Sequence, residues 1–172
     1  MSSSHPLHAA LIGAGPLGIN IYRHALKRPD IIISQVVDID PSLKGKDMGE
    51  HAGLDATGVY ISDSLEQGKR ADIAILATVS DLPRIGPQLL ALIDAGLSVV
   101  STCEELFYPW NSSDEWSKTI DLAAKDKGVA VLGTGVNPGF LMDSLPAMLT
   151  GICSQVEKIE VRRYQDAQFR RI

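Results

Sequence analysis

The amino-terminal strand and turn of the chain read His8-Ala9-Ala10-Leu11-Ile12-Gly13-Ala14-Gly15-Pro16-Leu17-Gly18. Apolar residues lead into three glycines in the G-x-G-x-x-G spacing, which is typical of a strand, a turn and a helix that together hold a dinucleotide. Gly13 permits the tight turn, Gly15 lets the backbone approach a pyrophosphate, and Gly18 lets the helix lie close on the strand. The backbone N–H groups that open the helix would then face the phosphates, where the helix dipole favours negative charge.

The residues after this turn follow the order that such a site requires. Residues 31–37 are apolar and predict a second strand, which ends at Asp38, twenty residues after Gly18. A carboxylate at that position can accept hydrogen bonds from the ribose hydroxyls of an adenosine. The next residue, Ile39, is a candidate contact for the adenine ring. The alternative, a structural glycine turn followed by a surface aspartate, is disfavoured because strand, turn, helix, strand and acid all occur in order.

Length and composition are those of a globular protein. The 172 residues, 45% of them hydrophobic and 22% charged, suffice for one domain with a good core. A formal net charge of -5 argues against a general nucleic-acid surface, and no apolar run is long enough to cross a membrane. Cys103 and Cys153 match no metal or C-x-x-C spacing. We therefore expect reduced thiols, no metal site, a cytoplasmic protein and a disordered start over residues 1–7.

Strands and helices alternate along the chain. Strands are predicted over residues 8–12, 31–37, 58–61, 72–78, 97–101 and 129–132. Helices are predicted over 17–28, from Ser62 or Asp63 through Gly68, from Ser80-Asp81-Leu82-Pro83 to Gly96, from a capping box at Ser112 and Glu115 to Gly128, and over 141–149. Residues 39–49 should form a loop with one helical turn at most. Because parallel neighbours need crossover connections, this order predicts an α/β, Rossmann-type, doubly wound parallel sheet over residues 8–153.

The last segment does not continue this pattern. Residues 156–164 alternate between apolar and polar like a strand exposed on one face. We interpret residues 154–172 as the first strand of a second, truncated α+β domain that binds substrate. The alternative is an edge strand at a natural carboxyl terminus.

Three further segments should lie at the carboxyl edge of the sheet, at residues 77–80, 101–104 and 133–137. Their small and hydroxyl-bearing residues leave room for a flat ring and offer hydrogen bonds to a ribose and a carboxamide, which suits a nicotinamide. For Thr78, Thr102 and Asn137 the alternative is a capping hydrogen bond to the backbone. The predicted cofactor-binding residues are Gly13, Gly15, Pro16, Leu17, Gly18, Asp38, Ile39, Ala77, Thr78, Thr102, Gly135 and Asn137.

Other reactive side chains are weaker candidates. The four histidines, His5, His8, His24 and His51, have no metal-ligand spacing, which favours surface or packing roles. Cys103 lies near the expected ring site, but without a paired histidine we expect it to be a packing residue.

Substrate contacts are harder to place. Glu104 and Glu105 can contact an amine substrate or can be solvated loop acids. An arginine cluster near the end of the chain can bind a carboxylate through paired donors or can form a solvated strand face. Its members are Arg162, Arg163, Arg170 and Arg171. We take Glu104 and Arg163 as the candidate substrate residues.

Several blocks of sequence together resemble a known family. They are the glycine turn, Val37-Asp38-Ile39-Asp40-Pro41, Gly45-Lys46-Asp47-Met48-Gly49, Val100-Ser101-Thr102-Cys103-Glu104-Glu105-Leu106 and Thr134-Gly135-Val136-Asn137-Pro138-Gly139-Phe140. This pattern resembles the dihydrodipicolinate reductase-like family and, within it, the 2,4-diaminopentanoate dehydrogenases. The resemblance implies a nicotinamide-dinucleotide domain followed by a mixed-sheet domain that binds substrate and builds a homo-oligomer.

One part of the pattern departs from the true dihydrodipicolinate reductases. Those enzymes carry a paired-histidine stretch, a lysine and Asp-Ala-Pro-Ser-Gly after the strand that leaves the first domain. This chain has Arg162-Arg163-Tyr164-Gln165-Asp166-Ala167-Gln168-Phe169-Arg170-Arg171 there instead. The departure disfavours the lysine-pathway reaction and favours an amine-oxidising relative.

The leading hypothesis is an NAD(P)-dependent oxidoreductase that transfers hydride at a carbon–nitrogen centre of a small amino acid. Asp38 favours NAD, because its charge would repel the 2′-phosphate of NADP and no arginine follows at position 39, although NADP is also possible. The alternatives are a dihydrodipicolinate reductase proper, a non-catalytic NAD(P)-binding or sensing domain, and a dehydrogenase that acts on a hydroxyl or aldehyde.

Overall fold

The computed structural model of the chain describes residues 5–111, 114–164 and 166. The strands are β1 (Leu7–Ile12), β2 (Ile31–Val37), β3 (Ile61–Ser62), β4 (Ile73–Leu76), β5 (Ser98–Ser101) and β6 (Val131–Gly133). The α-helices are α1 (Pro16–Ala25), α2 (Met48–His51), α3 (Leu82–Asp94), α4 (Asp114–Lys127) and α5 (Leu145–Leu149). Short 3-10 helices occur at Glu104–Leu106, Pro109–Asn111 and Thr150–Ile152, and a π-helix at Phe140–Ser144 precedes α5.

All six strands form one parallel sheet in the order β3-β2-β1-β4-β5-β6. The chain moves outward from β1 to β3, returns to pair β4 with β1, and then moves outward again on the other side. The strand order therefore reverses between β1 and β4, where open α/β sheets bind their ligands. The predicted doubly wound parallel sheet is confirmed.

The two faces of the sheet are covered to different extents. Helices α3 and α4 cover one face, where Ala74, Leu76 and Val99 are at most 1% exposed. Helices α1 and α2 pack on the other face, over β1 and β2. Among the helices that the structure describes, none has the length and apolar character of a membrane span.

One row of side chains on the sheet face that α1 covers becomes more exposed from β2 toward β6. The register aligns Val36, Leu11, Ile75, Val100 and Leu132 on β2, β1, β4, β5 and β6. The first two are fully buried, the next two are partly exposed, and Leu132 is 57% exposed. A parallel sheet normally has both faces covered. Within the described residues, the β5 and β6 half of this face lacks such a cover.

The segment between β3 and β4 differs from the prediction. Residues 63–68 contain a bend and a turn but no helix, so the predicted brief helix is wrong, and β3 lies at Ile61–Ser62 instead of 58–61. The segment is bonded to Gln35 on β2, which is only 3% exposed. Its side-chain oxygen accepts from the Glu66 N–H at 2.8 Å and its amide donates to the Lys69 carbonyl at 3.1 Å. These two bonds attach the segment to β2.

Other boundaries are close to the predictions. The single helical turn within the loop after β2 is α2, and the helix predicted over 141–149 is the π-helix followed by α5. Helix α4 begins at Asp114, whereas Ser112 of the predicted capping box lies outside the described residues. The chain enters β1 at Leu7, within the predicted disordered start, of which residues 1–4 are also outside the description.

The strand predicted over residues 156–164 is not formed. Most of this segment is exposed, and it is neither helix nor strand. A strand needs a neighbour to pair its backbone groups, and the sheet that the structure describes ends at β6. The assignment of residues 154–172 to a second domain stays a prediction.

Candidate cofactor-binding site

The carboxyl edge of the sheet is held together by backbone hydrogen bonds that extend beyond the strands. They run from Gly13 N to Val37 O at 2.8 Å, from Ala77 N to Ile12 O at 2.8 Å, from Thr102 N to Leu76 O at 3.1 Å and from Thr134 N to Ser101 O at 2.8 Å. These bonds bring the glycine turn and the three candidate ring segments side by side. The predicted cofactor-binding segments are therefore neighbours along the carboxyl edge of the sheet.

The three glycines of the turn have different surroundings. Gly13 has φ +103°, and a Cβ there would lie 2.6 Å from the Ala77 carbonyl oxygen. A Cβ at Gly18 would lie 1.9 Å from the Gly13 carbonyl oxygen. Gly15 precedes α1 with φ −70° and ψ −174°, which any residue adopts, and a Cβ there would have nothing within 4 Å among the described residues. Gly13 and Gly18 are thus required by packing, whereas Gly15 borders open space.

Two other predicted residues, Pro16 and Leu17, open α1 and are exposed beside Gly15. Proline lacks an N–H group, so Pro16 fixes the helix start without contributing a donor. Among the first helical residues, the N–H groups available to an anion therefore come from Leu17 and Gly18.

Asp38 lies directly beside the glycine turn. One carboxylate oxygen accepts from the Ala14 N–H at 2.7 Å, and the other accepts from the Asp40 N–H at 2.9 Å. Ile39 is 92% exposed at the same edge. The positions predicted for the ribose and the adenine are thus adjacent to the turn, and the carboxylate is fixed by backbone donors.

The hydroxyl of Thr78 is already used within the protein. It donates to the side-chain oxygen of Gln88 at 2.9 Å, and the amide of Gln88 donates to the Arg84 carbonyl at 3.2 Å. This is neither the predicted ribose contact nor the backbone cap considered as its alternative. Gln88 lies on α3, and no spacing in the sequence links it to Thr78.

The remaining predicted ring residues follow β5 and β6. Thr102 is partly buried directly after β5. Gly135 and Asn137 lie in a turn after β6, where the Phe140 N–H donates to the Gly135 carbonyl at 2.9 Å. Their roles toward a cofactor stay predictions.

The candidate substrate residues are not brought together by any contact in the described structure. Glu104 is exposed at the start of a 3-10 helix, and Arg163 lies in the exposed segment after α5. Glu105 has a structural task, because its carboxylate accepts from the Leu82 N–H at 2.7 Å and so caps α3. Arg170 and Arg171 lie outside the described residues.

Cys103 is a packing residue, as expected. It is 1% exposed, and its N–H donates to the Ser101 hydroxyl at 3.1 Å. Burial raises the pKa of its thiol, which keeps it protonated and unreactive. Across residues 5–111, 114–164 and 166, no group of three potential metal ligands is found.

A buried aspartate organises the segment between β2 and β3. Asp47 is 5% exposed and accepts from four backbone N–H groups. The donors are Gly49 at 2.7 Å, Glu50 at 3.2 Å, Thr57 at 3.1 Å and Gly58 at 2.7 Å. Burial acts to raise the pKa of Asp47, but the four donors outweigh it and hold this pKa below its usual range.

The same segment is attached to α1 and to the glycine turn. The side chain of Arg23 donates to the Ala52 carbonyl, with Nε at 2.8 Å. The Tyr22 hydroxyl lies 2.6 Å from the Thr57 hydroxyl oxygen. His51, for which a surface or packing role was expected, lies in α2 with its Nε2 at 2.9 Å from the Ala14 carbonyl oxygen. No sequence signal links His51 to a residue 37 positions earlier.

No family model matches the chain, but known proteins are similar to it. The chain is 33% identical over 158 residues to 2,4-diaminopentanoate dehydrogenase of Acetoanaerobium sticklandii, an alignment that covers 89% of this chain and 44% of that protein. This match supports the predicted resemblance to the dihydrodipicolinate reductase-like family. The chain spans less than half the length of this relative.

Solved structures agree with this assignment. The domain matches amine dehydrogenase of Mycobacterium smegmatis with a TM-score of 0.80 and 30% identity, over 87% of this chain and 45% of that one. It also shares its fold with the WlbA dehydrogenase of Bordetella pertussis, solved with NADH and UDP-GlcNAcA, with a TM-score of 0.56 and 24% identity over 77% of this chain and 36% of that one.

Replacing Asp47 with Asn should test whether this residue stabilises the segment between β2 and β3. The Asn amide group would face N–H donors, so we expect the Tm at pH 7 to fall by several degrees. Because the pKa of Asp47 is lowered on folding, its ionised form stabilises the domain above the unfolded pKa of about 3.9, and this stabilisation is lost as the pH falls through the folded pKa. The decrease of Tm below pH 4 should therefore be shallower in Asp47→Asn.

The control is Asp55→Asn, which changes the same charge at an exposed position of the same segment. Thermal unfolding followed by circular dichroism from pH 3 to 7 makes the comparison. Equal Tm profiles for the two variants would contradict the role given to Asp47.

Proposed function

We propose that this domain binds a nicotinamide dinucleotide at the turn of residues 13–18. We further propose that the protein it belongs to is an NAD(P)-dependent oxidoreductase acting at a carbon–nitrogen centre of a small amino acid. The names of the relatives, 2,4-diaminopentanoate dehydrogenase and amine dehydrogenase, support this reaction class. The NADH bound by the WlbA dehydrogenase of the same fold supports the cofactor.

The open space over Gly15 is the observation that carries the proposal. Packing explains Gly13 and Gly18, but no described neighbour and no backbone angle requires glycine at position 15. The space lies at the start of α1, where backbone N–H groups and the helix dipole favour an anion. A pyrophosphate in contact with the backbone would explain why position 15 is glycine, which packing within the protein does not explain.

The two halves of the cofactor would lie on either side of this turn. Asp38 would accept from the adenosine ribose, and Ile39 would contact the adenine. The nicotinamide half would lie along the remaining predicted residues, which are Ala77, Thr78, Thr102, Gly135 and Asn137. A bound nicotinamide would supply the hydride chemistry, whereas the protein would hold ring and substrate in line.

The charges around the adenosine position favour NAD over NADP. Asp38 and Asp40 lie one residue apart at this edge, and their carboxylates would repel a 2′-phosphate. The residue between them is Ile39, which offers no positive charge. Glu104 and Arg163 are the candidates for contacts with the amine and the carboxylate of a substrate.

We also propose that residues 154–172 begin a second domain, which binds substrate and forms a homo-oligomer in the cytoplasm. The matched region covers less than half the length of the relatives, which supports a second domain in the longer protein. The open half of the sheet face, with Leu132 57% exposed at its end, is a surface that such a domain could cover. The net charge of -5 disfavours nucleic acid as a partner.

Replacing Gly15 with Val tests cofactor binding. The backbone angles accept valine and the side chain enters open space, so the Tm should stay within about 2 °C of wild type. The same side chain would occupy the proposed pyrophosphate position, so the Kd for NADH should rise at least about tenfold. Nicotinamide fluorescence on titration with NADH measures the Kd.

Gly18→Ala is the matched control, because its Cβ would collide with the Gly13 carbonyl. It should lower stability, at a cost of about 1–3 kcal/mol for overpacking. NADH binding by Gly15→Val at the wild-type level would overturn the proposal. In a protein that also carries the proposed second domain, NADH binding without any turnover of amines would favour the sensing alternative.

Replacing Asp38 with Ala tests the cofactor preference. The variant loses an acceptor for the ribose of NADH but also a charge that repels the 2′-phosphate of NADPH. We expect the ratio of the NADPH Kd to the NADH Kd to fall about tenfold or more. Loss of the Ala14 contact would change both Kd values alike, so it cancels in their ratio. An unchanged ratio would contradict the proposed preference for NAD over NADP.

Replacing Leu132 with Asp tests the second domain. In a protein that carries this domain, a charge on the covered surface should lower the Tm by several degrees. In the 172-residue chain alone, the substitution should leave the Tm nearly unchanged. Leu122→Asp is the control, because Leu122 is 67% exposed on α4, on the face already covered. Equal effects of Leu132→Asp in both proteins would contradict the proposal.

A further inference from the structure

Both backbone polar groups of Ala14 are held by side chains from outside the glycine turn. Its N–H donates to Asp38 at 2.7 Å, and its carbonyl oxygen lies 2.9 Å from Nε2 of His51. A carbonyl oxygen only accepts hydrogen bonds, so Nε2 of His51 is the donor and carries the hydrogen. An acid at position 38 is part of the expected pattern of such sites, whereas a histidine at position 51 is not.

The Ala14 carbonyl that His51 contacts belongs to the same peptide group as the Gly15 N–H. In a trans peptide the carbonyl and the next N–H point in opposite directions within one plane. The donor on His51 therefore fixes the Ala14 carbonyl on one side and directs the Gly15 N–H to the other. That N–H belongs to the residue bordering the open space proposed for the pyrophosphate.

We propose that His51 is a positioning residue that orients the Gly15 N–H toward the pyrophosphate. The inference rests on the proposed dinucleotide function. His51 would not touch the cofactor; it would act through the Ala14 peptide. Without its donor, the peptide plane could rotate, and the N–H would have to be ordered when the cofactor binds.

The support of His51 is rigid enough for this task. Asp47 caps the start of α2, and its carboxylate is held by four backbone donors. The residue after His51 is Ala52, which is 1% exposed and whose carbonyl accepts from Arg23 on α1. His51 is thus attached through α2 to the same helix whose start it helps to arrange.

The experiment compares three variants of the intact protein by titration with NADH. His51→Ala removes the donor, and we expect the Kd for NADH to rise about five- to tenfold, as is usual for loss of one hydrogen bond. His51→Gln keeps an N–H donor on a side chain of similar reach and should restore most of the affinity. His24→Ala is the matched control. It also removes a contact between a histidine and a carbonyl, because His24 Nδ1 lies 2.8 Å from the Asn20 carbonyl oxygen on the exposed side of α1.

A second measurement follows the Gly15 N–H itself in the absence of cofactor. In protein labelled with 15N-glycine, His51→Ala should shift the Gly15 amide resonance, and His24→Ala should leave it in place. A histidine that only filled space would give no recovery in His51→Gln.

The outcomes separate the inference from the proposed function. Wild-type protein that does not bind NADH contradicts the dinucleotide proposal, and the amide resonance still tests His51. Wild-type affinity in His51→Ala, equal losses in His51→Ala and His51→Gln, or an unmoved Gly15 resonance would each overturn the positioning role. A lower Tm shared by both His51 variants would assign the residue to packing.

Discussion

The close approach of α1 to the glycine turn is the constraint on which the rest of the site depends. A Cβ at Gly18 would lie 1.9 Å from the Gly13 carbonyl oxygen, so the helix can start where it does only because that atom is missing. Gly13, in the glycine turn, also lies against the Ala77 carbonyl, directly after β4. The first helix, the turn and the strand at the point of reversal are therefore fixed relative to one another before any ligand is considered.

The segment between β2 and β3 acts as a brace for this arrangement. It contains no long element, and its stability comes from the buried Asp47, whose ionised form replaces the missing helix and sheet hydrogen bonds of its neighbours. Arg23 and Tyr22 connect it to α1, and His51 connects it to the turn. A loop that is irregular in sequence is thus one of the most specifically bonded parts of the domain.

The sequence predicted the fold well because its signals are local. Apolar runs, helix caps and the glycine spacing act over a few residues, and the parallel sheet, α1 and α3 follow from them. The contacts that the sequence did not predict involve distant partners. The segment after β3, where a helix was expected, is bonded to Gln35 on β2, and the Thr78 hydroxyl donates to Gln88 on α3. Residues 156–164 have the alternation of a strand, but alternation supplies no neighbour with which to pair.

The uneven cover of the sheet has a consequence for motion. Strand β1 is paired on both sides and buried on both faces, whereas β6 has three residues, one neighbour and a half-exposed leucine. Local opening costs least where contacts are fewest, so amide hydrogen exchange should become faster from β1 toward β6. The adenosine end of the site would then be the rigid part, and the loop after β6 would be the part whose order depends on whatever covers it.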